Sequence, residues 1–401
     1  MQKAKSGHPG TPMGAAPTAY TLWQKVLRYD PRTPHWLNRD RFVLSCGHAS
    51  ALLYALLHLA DVHDPRTGGA AVSMEDLQRF RQAGSRCPGH PEHGLTAGVE
   101  TTTGPLGQGV ATSVGMAIAG QWLAATYNRP GHTLFDYTVY ALCGDGDLME
   151  GITAEAAALA GHLGLGNLCW IYDSNRITIE GGTDLAVTED VAARFRAQGW
   201  HVLDVADAND TAALEAAYRR RADIVDRPTL IIVHSHIGYG APHRQDTPEA
   251  HGEPLGEAEL AAAKQFFGFD PAQSFVVPDG VRDHIAAGFG RRGAELRAAW
   301  DSLLAGYRLE YPKLAAEIDH IAAGTLPAGW EAALPTFPPD AKGMATRDAS
   351  GKVLNALGPT LPWLLGGAAD LAPSTKTRLT FAGAGDFQPP GALGDRAGRN
   401  L

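Results

Sequence analysis

The chain has 401 residues, 44% apolar and 19% charged, enough for two or three α/β domains with substantial cores. Its 34 Lys and Arg against 43 Asp and Glu leave a net charge of −9, which disfavours non-specific attraction to nucleic acid or to an anionic membrane, so neither partner is expected. No apolar run approaches the roughly 18 residues of a membrane span, and Met1 to Gly7 lacks a signal-peptide core, so the sequence predicts a cytoplasmic protein.

In chain order, the first predicted strand is Arg41 to Ser45, followed by a helix from Ala49 to Leu59 and a surface loop over residues 62–72. From about residue 137 to 240 apolar runs alternate with Ala-rich stretches, the pattern of a parallel sheet with helices on both faces. Tyr137 to Cys143 reads as a buried strand stopped by Gly144, and Ile152 to Leu163 as a helix ending among Gly164 and Gly166. Leu168 to Tyr172 and Trp200 to Val205 are further strands. A helix over Thr211 to Ile224 precedes Pro228, and Thr229 to Val233 is a strong strand. Beyond Gly252 the text turns to helices separated by Pro and Gly. Pro327, Pro335, Pro338 and Pro339 mark a linker. After it, Arg347 to Ala356 reads as a helix and Trp363 to Ala368 as a short strand opening a second α/β domain. The predicted domains are 1–320, a linker over 321–342, and 343–401. Cys46, Cys87, Cys143 and Cys169 show no Cys-x-x-Cys spacing, which predicts reduced thiols.

Parallel strands joined by right-handed crossovers bring their ends to one sheet edge, where function concentrates. Those ends carry Gly144-Asp145-Gly146 and Asp173-Ser174-Asn175. Taken alone, the first reads more readily as a turn and Asn175 as a loop cap. Together they place a carboxylate and an amide oxygen beside a helix start, which suits a hard cation: Mg²⁺ takes oxygen ligands, here Asp145, Asn175 and a carbonyl near Ile177, plus phosphate oxygens. The glycines admit a phosphate to backbone N–H groups, and the helix beginning near Ile152 adds its dipole. Most of the 16 histidines fit surface or loop positions. His8, His48, His90 and His251 instead stand beside glycines in segments that break periodicity, and neutral imidazole can donate to a hydroxyl or phosphate oxygen. Gly104-x-x-Gly107-x-Gly109 does not follow a strand and is not the dinucleotide fingerprint.

Gly-Asp-Gly with Asn175 at this spacing is similar to the thiamine diphosphate signature. The motifs Lys5-Ser6-Gly7-His8-Pro9-Gly10, Cys46-Gly47-His48-Ala49-Ser50, Pro88-Gly89-His90-Pro91-Glu92, Gly98 to Gly109, His251-Gly252-Glu253-Pro254-Leu255 and Ala369-Asp370-Leu371-Ala372-Pro373-Ser374 extend the match over nearly the whole chain. The chain resembles the amino-terminal part of a transketolase.

The resemblance implies a diphosphate- and Mg-binding domain with a helical extension, a linker, and the start of a pyrimidine-binding domain. It assigns His48, Gly146 and His251 to the cofactor diphosphate, and Gly104, Pro105 and Leu106 to the thiazolium and pyrimidine. Glu150, Asn175 and Asp370 are also assigned to the cofactor, and Asp145, Asn175 and Ile177 to the metal. His8, His90 and His251 surround the substrate as catalytic residues, and Arg347 and Ser374 take its phosphate. Glu150 and Glu155 either complement a helix dipole or belong to acidic residues running between two active sites of a homodimer.

The implied reaction moves a two-carbon ketol unit from a ketose phosphate to an aldose phosphate in the pentose phosphate pathway. Its implied cofactors are thiamine diphosphate and Mg²⁺, with Ca²⁺ or Mn²⁺ as substitutes. A glutamate that activates the cofactor in this family follows the segment matching Gly398-Arg399-Asn400-Leu401. The sequence therefore predicts an incomplete chain, inactive alone. A dihydroxyacetone synthase-like enzyme and a non-catalytic cofactor-binding remnant are the alternatives; the His48 and His90 segments argue against a deoxyxylulose phosphate synthase.

Overall fold

The computed structural model describes residues 1–391 and 393–401, which gather into two compact units: Met1–Ile118 with Tyr137–Ala299, and Ala119–Asp136 with Trp300–Leu401. This division by packing follows different boundaries from those read in the sequence at 320 and 342.

The first unit is built on five parallel strands, β1 (Arg41–Leu44), β2 (Val139–Gly144), β3 (Leu168–Ser174), β4 (His201–Val205) and β5 (Thr229–His234), in the order β1-β2-β3-β5-β4. All seven residues of β3 are buried, as expected of a central parallel strand covered on both faces. Trp170 on β3 meets Trp200 at a ring-centroid distance of 4.6 Å and Phe195 at 5.8 Å. The buried Arg221 donates through Nη1 to Thr138 Oγ1 at 3.0 Å and through Nη2 to the Gly166 carbonyl at 2.6 Å. Asp190 and Asp210 cap the helices Val191–Ala197 and Thr211–Ala222 by accepting from backbone N–H groups.

Register then places the chemistry. Gly144, the last residue of β2, lies opposite Asp173 near the end of β3, so the segments that follow leave the sheet side by side. The helix predicted from Ile152 runs over Gly151–His162, but a five-residue helix, Asp145–Met149, comes first. Glu150, extended at ψ 140°, separates the two. The twenty-residue helix Gln108–Tyr127 was not anticipated, because its Ala- and Gly-rich text lacks the polar stripe that marks an amphipathic helix.

In the second unit, Thr346–Leu357 is helical, close to the predicted Arg347 to Ala356. The strand expected over Trp363 to Ala368 does not form. Only Gly366 makes a bridge, to Asn400, because Arg399 draws the preceding carbonyls together: its guanidinium donates to Gly358 at 2.9 Å, Leu361 at 2.7 Å and Leu364 at 2.9 Å. Among the described residues no helix is long and apolar enough to cross a membrane.

One close approach can be tested. Trp200 Nε1 donates to the Ala157 carbonyl at 2.9 Å, and a Cβ on Gly161, one turn further along the same helix, would lie 1.8 Å from the Gln198 carbonyl oxygen. Backbone cannot yield as a flexible side chain can. Gly161→Ala is expected to destabilise the chain by about 1–3 kcal/mol, seen as a lower urea midpoint; an unchanged midpoint would refute this packing.

Candidate functional site

The strand ends are joined by a buried carboxylate, Asp147. Its Oδ1 accepts from Ser45 Oγ, just past β1, at 2.8 Å, and from the Gly107 N–H at 2.8 Å; its Oδ2 accepts from the Gly144 N–H at 3.0 Å. Ser45 Oγ in turn accepts from the Val110 N–H at 3.0 Å. Gly107 has φ +78°, and a Cβ there would lie 2.8 Å from both Glu150 Cβ and Ile152 Cγ2, so only glycine lets this loop reach Asp147. Burial pushes the Asp147 carboxyl above the usual range, opposed by the hydrogen bonds from Gly107, Gly144 and Ser45.

A cavity of about 290 Å³ opens beside this junction, lined by Gly144, Asp145, Gly146, Asn175, Ile177, His8, His48, His251, Gly104 and Leu106. Asp145 is 7% exposed. Its carboxylate accepts from the Tyr172 hydroxyl and, at 3.1 Å, from the Arg176 N–H. Arg176 holds a left-handed φ of 62°, a strained position of the kind that gathers at functional sites. Asn175 is fixed from both ends: Nδ2 donates to Asp173 at 2.8 Å, and Oδ1 accepts from the Ile177 N–H at 3.0 Å. Asp173, buried and bonded to Ser235 at 2.5 Å, is pushed up to about 6 by burial.

Three imidazoles face this floor. Ring centroids lie 5.1 Å apart for His8 and His48, 5.0 Å for His48 and His251, and 5.8 Å for His8 and His251. Burial first, then the neighbouring histidines, pushes His48 down to about 3; burial, then Arg81, pushes His8 down to about 4. His251 is lowered by burial despite its bond to the Ile177 carbonyl. Each shift favours the neutral ring.

The residue set fits a diphosphate held through a divalent cation. His251 Nδ1 is buried with no hydrogen-bond partner in the cavity wall, so a bound group would complete it. Asp145, Asn175 and the Ile177 carbonyl offer the oxygen donors that Mg²⁺, Ca²⁺ or Mn²⁺ prefers. Among the described residues no group of three or more His, Cys, Asp or Glu is placed to hold a metal, so a cation here depends on the amide and backbone oxygens as well as Asp145.

The structure thus brings together His8, His48, His251, Gly104, Leu106, Asp145, Gly146, Asn175 and Ile177. His90 is exposed and lines a neighbouring depression with Arg81, its ring against Gly104. Pro105, Glu150 and Glu155 are exposed and outside the cavity wall. Arg347, Asp370 and Ser374 belong to the second unit and are exposed. Sequence reasoning missed Asp147, Asp173 and the lining residues Thr11, Thr178 and Ile179. Asp147, the third residue of its short helix, accepts from the Gly144 cap N–H, one half of a capping box; with glycine at the cap the sequence carried no full signature of it.

The sequence matches the family described as "Transketolase, thiamine diphosphate binding domain" over residues 1–327. It is 51% identical over 389 residues to a transketolase of Geobacillus stearothermophilus, covering 97% of this chain and 57% of that one. It is 49% identical over 403 residues to transketolase 1 of Saccharomyces cerevisiae, covering 100% of this chain and 57% of that one. A Pichia stipitis transketolase in complex with sedoheptulose 7-phosphate aligns at TM-score 0.92 and 43% identity, over 100% of this chain and 57% of that chain. A Leishmania mexicana transketolase aligns at TM-score 0.92 and 46% identity, with the same coverage. The chain therefore spans 57% of the length of these relatives.

Two outcomes follow from the site's chemistry. Asp147→Ala leaves Ser45 Oγ and the N–H groups of Gly107 and Gly144 without an acceptor, and is expected to cost at least about 2 kcal/mol in urea unfolding; a loss within error of zero would remove Asp147 as the junction. The histidines set an acid limit. An unfolded histidine binds a proton near pH 6.5, whereas His48 in the fold waits until about 3. Between those values the unfolded state holds more protons, so stability is full above pH 6.5 and falls as pH drops. His48→Gln is expected to show a shallower decline of Tm from pH 6.5 to 4 than the parent chain; parallel curves would contradict a neutral, buried His48.

Proposed function

As a member of the transketolase family, the chain carries a thiamine diphosphate-binding domain, and we propose that the cavity at the ends of β2 and β3 holds the cofactor's diphosphate through a divalent cation. What supports this most directly is one arrangement: three oxygen donors, from Asp145, Asn175 and Ile177, beside His8, His48 and His251 around a single cavity.

In this reading Asp145, Asn175 and Ile177 hold the cation, with Mg²⁺ the natural occupant. His48, His251 and the Gly146 backbone meet the diphosphate, and Gly104 and Leu106 line its approach to the rings; Pro105, Glu150 and Asp370 are further candidates for the cofactor. The whole protein's reaction is transfer of a two-carbon ketol unit between sugar phosphates, the ligand class named with the Pichia stipitis structures, xylulose 5-phosphate and sedoheptulose 7-phosphate. When bound, the cofactor supplies the carbanion and the electron sink. This chain's own residues bind and orient. Neutral His8, His90 and His251 donate to the carbonyl and hydroxyl oxygens of the sugar and return protons to them. Arg347 and Ser374 take the sugar's phosphate through a charged fork and a hydroxyl. The same reading makes residues 1–320 the diphosphate domain, 321–342 its linker and 343–401 the start of a pyrimidine domain. It makes the whole protein a cytoplasmic homodimer, with Glu150 and Glu155 in an acidic set at the subunit boundary.

Asp145 is the one anionic side chain among the three cation ligands. Asp145→Ala is expected to weaken Mg²⁺-dependent thiamine diphosphate binding at least about a hundredfold in titration calorimetry, the scale of losing a charged contact. Unchanged affinity would remove Asp145 from the cation site.

A further inference from the structure

One charged group beside the cavity has no role in the reading above. Arg81 adopts a left-handed φ of 61°, and its guanidinium turns toward the segment that carries His8. Nη1 donates to Ser6 Oγ at 2.7 Å, and Nη2 reaches His8 Nδ1 at 3.2 Å and the Gly89 carbonyl at 3.5 Å. Among the described residues no carboxylate pairs with it, and its Nε is buried without a partner. A guanidinium taken partly out of water with no counter-ion is costly, and the fold supplies neutral acceptors in place of one.

The direction of the contact with His8 is fixed by chemistry. A guanidinium has five N–H donors and no acceptor, so at 3.2 Å the imidazole nitrogen must be the acceptor. That leaves Nδ1 bare and puts the ring's single proton on Nε2. No hydrogen bond among the described residues engages His8 Nε2, and His8 is part of the cavity wall. We infer that Arg81 is a positioning residue that locks His8 in the neutral Nε2–H tautomer, making the resting His8 a hydrogen-bond donor toward the cavity.

The inference rests on the reading of His8 as facing substrate, and gives it a direction: an Nε2–H donor suits a carbonyl oxygen that gains negative charge, and Arg81 behind the ring favours that charge. The surroundings of His8 act the same way. Arg81, His251 and His90 each disfavour a proton on it, after burial itself; His48 packs against its ring. The Met1 amino group is lowered by burial and then by the charge of Arg81. Asp145 and Asp147 are the carboxylates in the same wall.

The test reads the ring nitrogens and needs neither cofactor nor turnover, so it can fail while cofactor binding succeeds, and the reverse. Long-range ¹H–¹⁵N correlation spectra of the histidine-labelled 401-residue chain, assigned with His8→Asn, separate a bare ring nitrogen from a protonated one. In the parent chain His8 should show bare Nδ1 and protonated Nε2 at pH 7. In Arg81→Met the two tautomers should mix, and the His8 midpoint should rise from about 4 toward the ordinary value of about 6.5. Arg81→Lys, also a pure donor, should keep the Nε2–H form. A protonated Nδ1 in the parent chain overturns the inference, and this result stands even if Arg81→Met fails to fold. Identical tautomer and midpoint in the parent chain and a folded Arg81→Met also overturn it.

Discussion

The site depends on a buried carboxylate, Asp147, whose two oxygens are both taken up by donors of the protein itself. Asp147 joins the end of β1 through Ser45, the end of β2 through Gly144 and the glycine loop through Gly107. Buried anions are expensive unless hydrogen-bonded, and here the donors come from segments far apart in sequence. Satisfying Asp147 therefore forces those segments to one place. Asp145, two residues earlier, is then delivered to the cavity wall. One carboxylate organises the junction so that its neighbour can remain available.

The floor and the walls of the cavity have opposite electrostatic habits. Burial raises the carboxyls of Asp145 and Asp173 and lowers the imidazoles of His8, His48 and His251; each shift disfavours charge on its own group. A divalent cation would reverse this for Asp145, holding the carboxylate ionised. A diphosphate would then bring negative charge to the histidines, which favours their protonated forms. Burial works against charge on both the floor and the walls, and the charges that suit the site come as a pair of opposite sign. This is the physical reason to expect cation and diphosphate to bind together.

The sheet was largely legible in the sequence. The strands over 41–45, 137–143, 168–172, 200–205 and 229–233 appear within a few residues of their predicted bounds, because buried parallel strands leave unbroken apolar runs. Neighbouring Gly-Asp-Gly and Asp-Ser-Asn segments followed from that pattern, and the register of Gly144 with Asp173 bears this out. What escaped was decided by contacts between distant segments. Asp173 stood in the quoted Asp-Ser-Asn segment with no role of its own, and the fold turns it toward Ser235 and Asn175, where it orients the amide. Arg399 drew the carbonyls of a predicted strand into a turn. Arg81 gave no sign of its contact with His8, which depends on a left-handed backbone that no local pattern announces for arginine.

The central claim, a diphosphate site closed by a divalent cation, is tested most directly by thermal unfolding of the unmodified chain with thiamine diphosphate alone, Mg²⁺ alone, and both. A ligand at a hundred times its Kd stabilises by about 2.7 kcal/mol, well within detection. The account predicts a concentration-dependent rise in Tm only when both are present, since the carboxylate and the diphosphate repel without the cation between them. An equal rise with thiamine diphosphate in the presence of a chelator, or no rise with both, would contradict it.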